Sequence, residues 1–280
     1  MVGSRRSRLG LAILTYAVSL SVTAAAVLPL VWTVLISVKP ESEIVTQQFT
    51  YLPHSITFHN YVEIWRQSSF PRLIMNSAIS TGLTLLLCVF AGTLAAYAFS
   101  RYDFAGRKHL MMGYLSVRMF PTVLKLIPLF VMLRALGLLD SRFGLALAYT
   151  AFLLPIFVWM MKGFFDAVPR DLEDAARIDG CTRLSALWRV VLPVARTGLI
   201  ATAVFVAIGA WNEFLFALML TTSLGSRTWP VGLQLMVGEF QLPWGMLSAG
   251  GVITILPVLL LFGLVHRAMA QGLTAGATKG

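Results

Sequence analysis

Two long stretches of the chain contain no charged residue, and they constrain the fold more than any other feature. Leu9–Val38 is uncharged for 30 residues and Leu73–Ser100 for 28 residues. A transmembrane α-helix needs about 20 consecutive, predominantly apolar residues. Only 12% of all residues are charged, against roughly 25% in average soluble domains. The sequence therefore predicts a polytopic membrane protein and excludes a soluble, globular core.

Six apolar segments follow one another along the chain, so we predict an all-α fold with six transmembrane helices in a single membrane domain over residues 1–280. The first segment exceeds the apolar region of about 7–15 residues in a signal peptide, which indicates an uncleaved helix. A long polar loop separates the fourth and fifth segments, at 162–196. The predicted spans are approximately 9–38, 73–100, 110–139, 143–161, 197–220 and 243–265.

Lys and Arg residues are distributed unequally between the two sides of this topology. Of the 22 basic residues, 14 lie in the N-terminal segment, in the second-to-third span connection, in the 162–196 loop and in the C-terminal segment. Five lie in the opposite loops, and three lie in the third span. The positive-inside rule places both termini and the 162–196 loop in the cytoplasm. This distribution also accounts for the net charge of +10 without a nucleic-acid partner.

The 162–196 loop contains a polar stretch, Pro169–Pro193, with residues that typically begin and end helices. Asp171 is predicted to N-cap a short helix whose first turn contains Glu173 and Asp174, where the helix dipole favours acidic residues. Gly180 is predicted to end this helix in the left-handed conformation. Such a helix can dock into a partner protein or lie on lipid headgroups. A second helix is predicted to follow, with an apolar face formed by Leu184, Leu187, Trp188, Val191 and Leu192.

Several motifs resemble those of the membrane subunits of ATP-binding-cassette (ABC) importers, over roughly the whole chain. The most specific resembles the EAA signature of these subunits and comprises Glu173-Asp174-Ala175-Ala176, Asp179-Gly180 and Leu192-Pro193. Two further stretches resemble the carbohydrate branch of the family, the maltose-type permeases. They are Trp211-Asn212-Glu213-Phe214-Leu215 and the C-terminal Gly272–Gly280.

The resemblance implies the type I ABC importer permease fold and a subunit that imports a sugar or related solute across a prokaryotic cytoplasmic membrane. It implies a second, similar permease subunit, two ATPase subunits and an extracytoplasmic solute-binding protein as partners. The EAA segment would be the coupling helix that docks on an ATPase subunit. In it Glu173 would supply a charged contact, Ala175 and Ala176 close packing, and Gly180 the turn. The C-terminal stretch would reach the ATPase pair, or it is a plain terminus.

The third predicted span contains three basic residues, Arg118, Lys125 and Arg134, and is kinked by Pro121. Arg118 and Lys125 are two helical turns apart and therefore share a face. Charges inside a membrane are costly and usually face an interior or a cavity. This pair is therefore predicted to line a translocation pathway or to contact another subunit. The alternative is that the side chains extend to the membrane interface.

Glu213 is the only carboxylate inside a predicted span and follows Asn212. Both side chains can hydrogen-bond to sugar hydroxyls, and aromatic neighbours offer a stacking face to a sugar. They are therefore candidates for the translocation pathway. The alternative is a structural polar cluster in which Glu213 pairs with a basic residue of the third span.

The sequence contains no phosphate-binding loop and no zinc-protease motif, and its two cysteines do not have metal-ligand spacing. We therefore expect a transport subunit that is not an enzyme and binds no cofactor or metal, with ATP and Mg²⁺ held by the ATPase partners. A secondary transporter driven by an ion gradient is the alternative class. It requires internal repeats and intramembrane ion sites, and Glu213 is its one candidate.

Overall fold

The computed structural model describes residues 5–46, 50–66, 69–237 and 242–277. These residues form helices joined by short connections, with no β-strand among them, which confirms the predicted all-α fold. The helices are α1 (Arg5–Ser37), α2 (Glu41–Ile44), α3 (His59–Arg66), α4 (Phe70–Arg101), α5 (Arg107–Ser116), α6 (Thr122–Ala135), α7 (Arg142–Asp166), α8 (Arg170–Ile178), α9 (Arg183–Ala186), a π-helical turn (Leu187–Val191), α10 (Leu192–Val194), α11 (Arg196–Trp211), α12 (Leu215–Leu220), α13 (Trp229–Leu235) and α14 (Trp244–Ala277).

The chain divides into two compact units, of which the first comprises residues 1–68 and 236–255. Polar contacts at the end of α1 hold this unit together. The buried Asn60 amide donates to the backbone carbonyls of Ser37 and Lys39 over 2.9 and 2.8 Å. The Glu41 carboxylate accepts the N–H groups of Trp244 and Gly245 at the start of α14. The segment after α1, predicted as an outer loop, is thus fastened to helix ends within its own unit.

The second unit, residues 69–235 and 256–280, is built on the parallel pair α4 and α7. Contacts advance in step along both helices. The Thr84 hydroxyl lies 3.4 Å from the Ala146 carbonyl, Gly92 packs on the Phe157 ring, and the Ser100 hydroxyl donates to Asp166 over 2.7 Å. Because both helices run in the same direction, the segment between them must return across the unit.

That returning segment consists of α5 and α6, separated by the non-helical residues 117–121. One kinked helix was predicted here, and this prediction was wrong. Pro121 lacks an N–H and disfavours helical conformation in the residue before it, so the chain leaves the helix and restarts at Thr122. Lys125 bridges the break, with its Nζ 3.3 Å from the Val117 carbonyl oxygen.

The last crossing of this part of the unit is made by α11 and α12, which run antiparallel to α7. Gly198 lies against Phe164 and Gly209 against Leu153. The two helices are separated at Asn212–Phe214, where the sequence predicts an interruption. The Leu220 carbonyl at the end of α12 accepts the Asp140 N–H over 2.9 Å.

Four helical stretches among the described residues are long and apolar enough to cross a membrane by themselves: Leu11–Ser37, Phe70–Arg101, Arg142–Asp166 and Trp244–Gly263. A fifth candidate is a pair bent by 84°, Arg183–Val194 with Arg196–Trp211. The broken α5–α6 crossing has no single helix of sufficient length. Helix α7 continues to Asp166, past the predicted end of the fourth span, so the polar connection begins later than expected.

Candidate functional site

Helix α8 contains most of the EAA-like residues and has well-defined ends. It begins after Pro169, which takes the N-cap position, so the predicted N-cap residue Asp171 lies in the first turn instead. Gly180 has a φ of 88°, which confirms the predicted left-handed ending. The N–H groups of Gly180 and Cys181 donate to the carbonyls of Arg177 and Ala176 over 3.1 and 2.9 Å. This pair of bonds is a Schellman motif, and it satisfies carbonyls at the helix end.

Glu173 fastens α8 to the end of α4. Its carboxylate forms a 2.9 Å ion pair with Arg101 Nε, and the side chains of both residues are about nine-tenths buried. The Tyr97 hydroxyl donates to the same carboxylate, and Arg101 also donates to the Val168 carbonyl over 3.0 Å. The prediction that Glu173 supplies a charged contact to a partner is therefore corrected: this charge is neutralised inside the chain.

The two faces of α8 differ in exposure. Glu173 and Ala176 are buried against the rest of the unit. Leu172, Ala175 and Ile178, spaced by three residues, lie on the outward side, and Ile178 is 86% exposed. Asp174 and Asp179 are exposed beside them. Of the predicted close-packing pair, Ala175 therefore faces outward, whereas Ala176 packs internally.

The segment after Gly180 differs from the predicted amphipathic helix. Leu187 and Val191 are fully buried in a cluster with Phe157 and Phe165, but Leu184 and Trp188 are exposed. A π-helical turn at Leu187–Val191 widens the spiral and shifts the side-chain period, so the five predicted residues do not form one buried face. Leu192 and Pro193 follow in α10, immediately before the bend into α11.

The third predicted span brings two of its three basic residues, Arg118 and Lys125, to the break between α5 and α6. Lys125 Nζ lies 4.4 Å from the centre of the Phe152 ring. Phe152 in turn stacks on Phe216, with ring centres 4.4 Å apart and an interplanar angle of 13°. Arg118 is exposed at the break and close enough to Lys125 for their like charges to interact. The sequence did not indicate Phe152, because nothing distinguishes it from other apolar residues of its helix.

Glu213 caps α12. Its carboxylate accepts the Phe216 N–H over 3.0 and 3.1 Å and the Ala217 N–H over 3.2 Å. Within the described residues it forms no ion pair with the third-span bases, so the predicted pairing is wrong. Its capping contacts instead give it a structural role, which agrees with the predicted structural alternative. The neighbouring Asn212 side chain is exposed and donates to the Ile208 carbonyl over 3.0 Å. Because Phe216 also stacks on Phe152, the structure brings Glu213 and Lys125 to one aromatic cluster.

At the opposite end of the unit from α8, Asp140 fastens the connection after α12. Its carboxylate accepts the N–H groups of Thr222 and Ser223 over 2.8 and 2.9 Å, and the Ser226 hydroxyl donates to it. Partial burial favours a raised pKa for Asp140, but these hydrogen bonds outweigh it and hold the pKa below its ordinary value. Asn76 and Ser77 of α4 bond to the same connection, through Leu224, Arg227 and Trp229. Asn76 and Ser77 therefore hold α4 to the connection between α12 and α13.

Comparison with known proteins identifies the family. Residues 88–274 match the family described as binding-protein-dependent transport system inner membrane component. The chain belongs to this family. It is a membrane-spanning permease subunit of an ABC importer, located in the inner membrane as a multi-pass protein.

Characterised relatives cover most of the permease. It is 40% identical over 256 residues to a sulfoquinovosyl glycerol transport system permease protein of Agrobacterium fabrum, covering 90% of the permease and 88% of the relative. It is 37% identical over 262 residues to a trehalose transport system permease protein of Mycobacterium tuberculosis, with coverages of 92% and 94%. A trehalose/maltose transport system permease protein of Thermococcus litoralis is 35% identical over 255 residues, with coverages of 90% and 91%.

A solved structure confirms the predicted fold. The permease superposes with a TM-score of 0.81 on a chain of a bacterial ABC transporter involved in the import of the acidic polysaccharide alginate, covering 95% of the permease and 99% of that chain. The two sequences are 23% identical. The architecture is therefore that of a type I ABC importer permease.

Proposed function

We propose that this permease moves a sugar or related solute across a prokaryotic cytoplasmic membrane, with both of its termini in the cytoplasm. It pairs with a second, similar permease subunit. Two ATPase subunits bind on the cytoplasmic side, and a solute-binding protein delivers the solute from outside. ATP and Mg²⁺ are held by the ATPase subunits, and this chain hydrolyses no ATP.

The solute class is supported by the relatives, whose names specify sulfoquinovosyl glycerol, trehalose, and trehalose or maltose. The assignment of ATP hydrolysis to the ATPase subunits is supported by the sequence of this chain, which contains no phosphate-binding loop. The orientation is supported by the excess of Lys and Arg in the segments assigned to the cytoplasm.

The observation that carries the proposal is the division of α8 into a fastened face and a free face. Glu173 and Ala176 hold the helix on the membrane-spanning unit, while Leu172, Ala175 and Ile178 face outward. An apolar stripe exposed on an otherwise polar helix indicates a protein contact. We assign this stripe to docking on an ATPase subunit, which makes α8 the coupling helix.

The same contacts provide a route for motion. Closure of the ATPase pair would push α8, and the Glu173–Arg101 ion pair would pass that displacement to the end of α4. The Ser100–Asp166 hydrogen bond joins α4 to α7 at the same level, and Lys162 holds Asp166 over 2.5 Å. The two parallel helices would therefore move together, and the crossings packed on them would tilt between inward-open and outward-open states.

Reconstitution of the complete importer into liposomes tests the energy source. We expect labelled sugar to accumulate only when ATP and Mg²⁺ reach the ATPase side, and not with a non-hydrolysable ATP analogue. A protonophore is expected to leave this uptake unchanged. Accumulation driven by a proton or sodium gradient without ATP would instead favour the secondary-transporter class.

A further inference from the structure

The break between α5 and α6 concentrates positive charge at a membrane crossing. Arg118 lies in the break, and Lys125 lies at the start of α6. Neither residue forms an ion pair with any described residue. The N-terminus of a helix also has a partial positive charge and favours anions, so Lys125 is placed where a basic residue is locally unfavourable. The packing of α6 alone gives no reason for this arrangement.

The acidic residue in the same aromatic cluster does not compensate this charge. Glu213 uses both carboxylate oxygens to accept three short contacts from the N–H groups that begin α12. An intramembrane cation normally pairs with an acid or faces a water-filled path. No described acid neutralises Arg118 or Lys125, so their positive charge is available to a group that brings a negative charge of its own.

The contacts of Lys125 hold its ammonium group in place and leave N–H donors free for such a group. Its ammonium group has three N–H donors and uses one on the Val117 carbonyl. Beside it lies the stacked pair of Phe152 and Phe216. Because Phe216 covers one face of Phe152 and Lys125 lies over the other, the ring positions the ammonium group. Its free N–H donors can bind a carboxylate or sulfonate through a charge-assisted hydrogen bond.

We propose that the transported solute is an anionic sugar, whose carboxylate or sulfonate is bound by Arg118 and Lys125. The inference rests on the proposed function and names the solute class for it. It also explains why the two cations stand at a helix break, since the broken backbone places the start of α6 at the path.

The test uses cells that express the complete importer and a panel of labelled sugars in matched pairs, each a neutral disaccharide and its derivative oxidised at C6 to a carboxylate. Uptake is measured for the unaltered permease, for Lys125→Met and for Lys125→Arg. Arg134→Gln is the control, because Arg134 is an exposed basic residue at the far end of the same helix. Co-purification of the partner subunits is measured for every variant.

We expect the unaltered importer to accumulate acidic members of the pairs. Lys125→Met should lower their uptake about tenfold or more, as expected from the loss of a hydrogen bond to a charged group, while all subunits still co-purify. Lys125→Arg should retain most uptake, and Arg134→Gln should be unchanged.

Three results would overturn the inference while leaving an ABC importer in place: uptake of neutral members only, equal loss for acidic and neutral members, or unchanged acidic uptake in Lys125→Met. Loss of a partner subunit from Lys125→Met would also overturn it, because Lys125 would then bind a protein acid. ATP-dependent uptake of no sugar at all would contradict the proposed function itself.

Discussion

Two regions of the second unit differ in whether their charged side chains are neutralised within the chain. Where α8 meets α4, the acid Glu173 and the base Arg101 neutralise each other in a buried pair, with Tyr97 completing the contacts. At the α5–α6 break, Arg118 and Lys125 stand together with no acid bound to them among the described residues.

The neutralised pair suits a structural connection between two helices, whereas the pair of cations suits the binding of an anion. A buried ion pair is sensitive to the loss of either partner, because the remaining charge is left desolvated. Such a pair suits a rigid connection between a docking helix and a membrane crossing. An uncompensated pair of cations forms no ion pair between two elements of the chain, so its charge is available to a ligand that brings an opposite charge.

The largest effect is expected from Glu173→Gln, which removes the negative charge from the buried Glu173–Arg101 pair. It leaves Arg101 buried without its counter-charge, at a cost of about 3–5 kcal/mol in the free energy of unfolding. Thermal unfolding of the purified complex and ATP-driven uptake should both decline. Asp174→Asn is the matched control for thermal unfolding, since its 3.7 Å pair with Arg177 is exposed and contributes about 1 kcal/mol or less.

A second change tests the close packing of α4 and α7, on which their joint movement depends. A Cβ added to Gly92 would lie 2.3 Å from a carbon of the buried Phe157 ring, so Gly92→Ala should separate the two helices and destabilise the unit by about 1–3 kcal/mol. Gly82→Ala, in the same helix, has open space around the added carbon and serves as control. Equal thermal stability of the two variants would refute close packing at Gly92.

A third change acts on the turn that follows the docking helix. Gly180 has a φ of 88°, with nothing within 4 Å of an added Cβ, so the effect of Gly180→Val is purely conformational. The left-handed conformation costs an L-residue about 1–2 kcal/mol. We expect uptake to be uncoupled from ATP hydrolysis while membrane insertion is retained. Gly180→Asn should behave more mildly, and normal uptake in the valine variant would count against the role of this turn.

The smallest effect is expected at the opposite end of the unit. Asp140 has a φ of 53°, a left-handed conformation that Asn also adopts readily. Asp140→Asn keeps an acceptor oxygen but loses the negative charge that accepts three hydrogen bonds. The cost is about 1 kcal/mol. Because folding lowers the pKa of Asp140, its contribution is complete above about pH 4 and declines as the pH falls through the lower, folded-state pKa. Unfolding midpoints measured between neutral and acidic pH should therefore converge for the two proteins.

Local rules predicted much of this architecture. Uncharged runs predicted α1, α4 and α7, because charged residues are costly inside a membrane and a long run without them is long enough to cross it. The prediction for Gly180 was correct because a left-handed helix ending depends mainly on the residue type at that position. The same local reasoning failed at Asp171, since Pro169 already supplies the extended conformation of the N-cap position.

Contacts between distant parts of the chain could not be predicted in the same way. Glu173 and Arg101 are 72 positions apart, and no periodicity links them. The capping role of Glu213 depends on α12 starting afresh after a break, whereas a continuous span would have left its carboxylate free to pair. The predicted C-terminal contact remains a prediction: α14 continues to Ala277, and residues 278–280 lie outside the described part of the chain.

The most direct test of α8 as the docking element is the amount of ATPase subunit that co-purifies with Ile178→Glu. Leu224→Glu is the control, because Leu224 is also an exposed apolar residue but lies in the connection fastened by Asp140, at the other end of the unit. If α8 docks on the ATPase subunit, Ile178→Glu should lose that subunit while the second permease subunit remains, and Leu224→Glu should retain both. Full retention of the ATPase subunit by Ile178→Glu would contradict this docking.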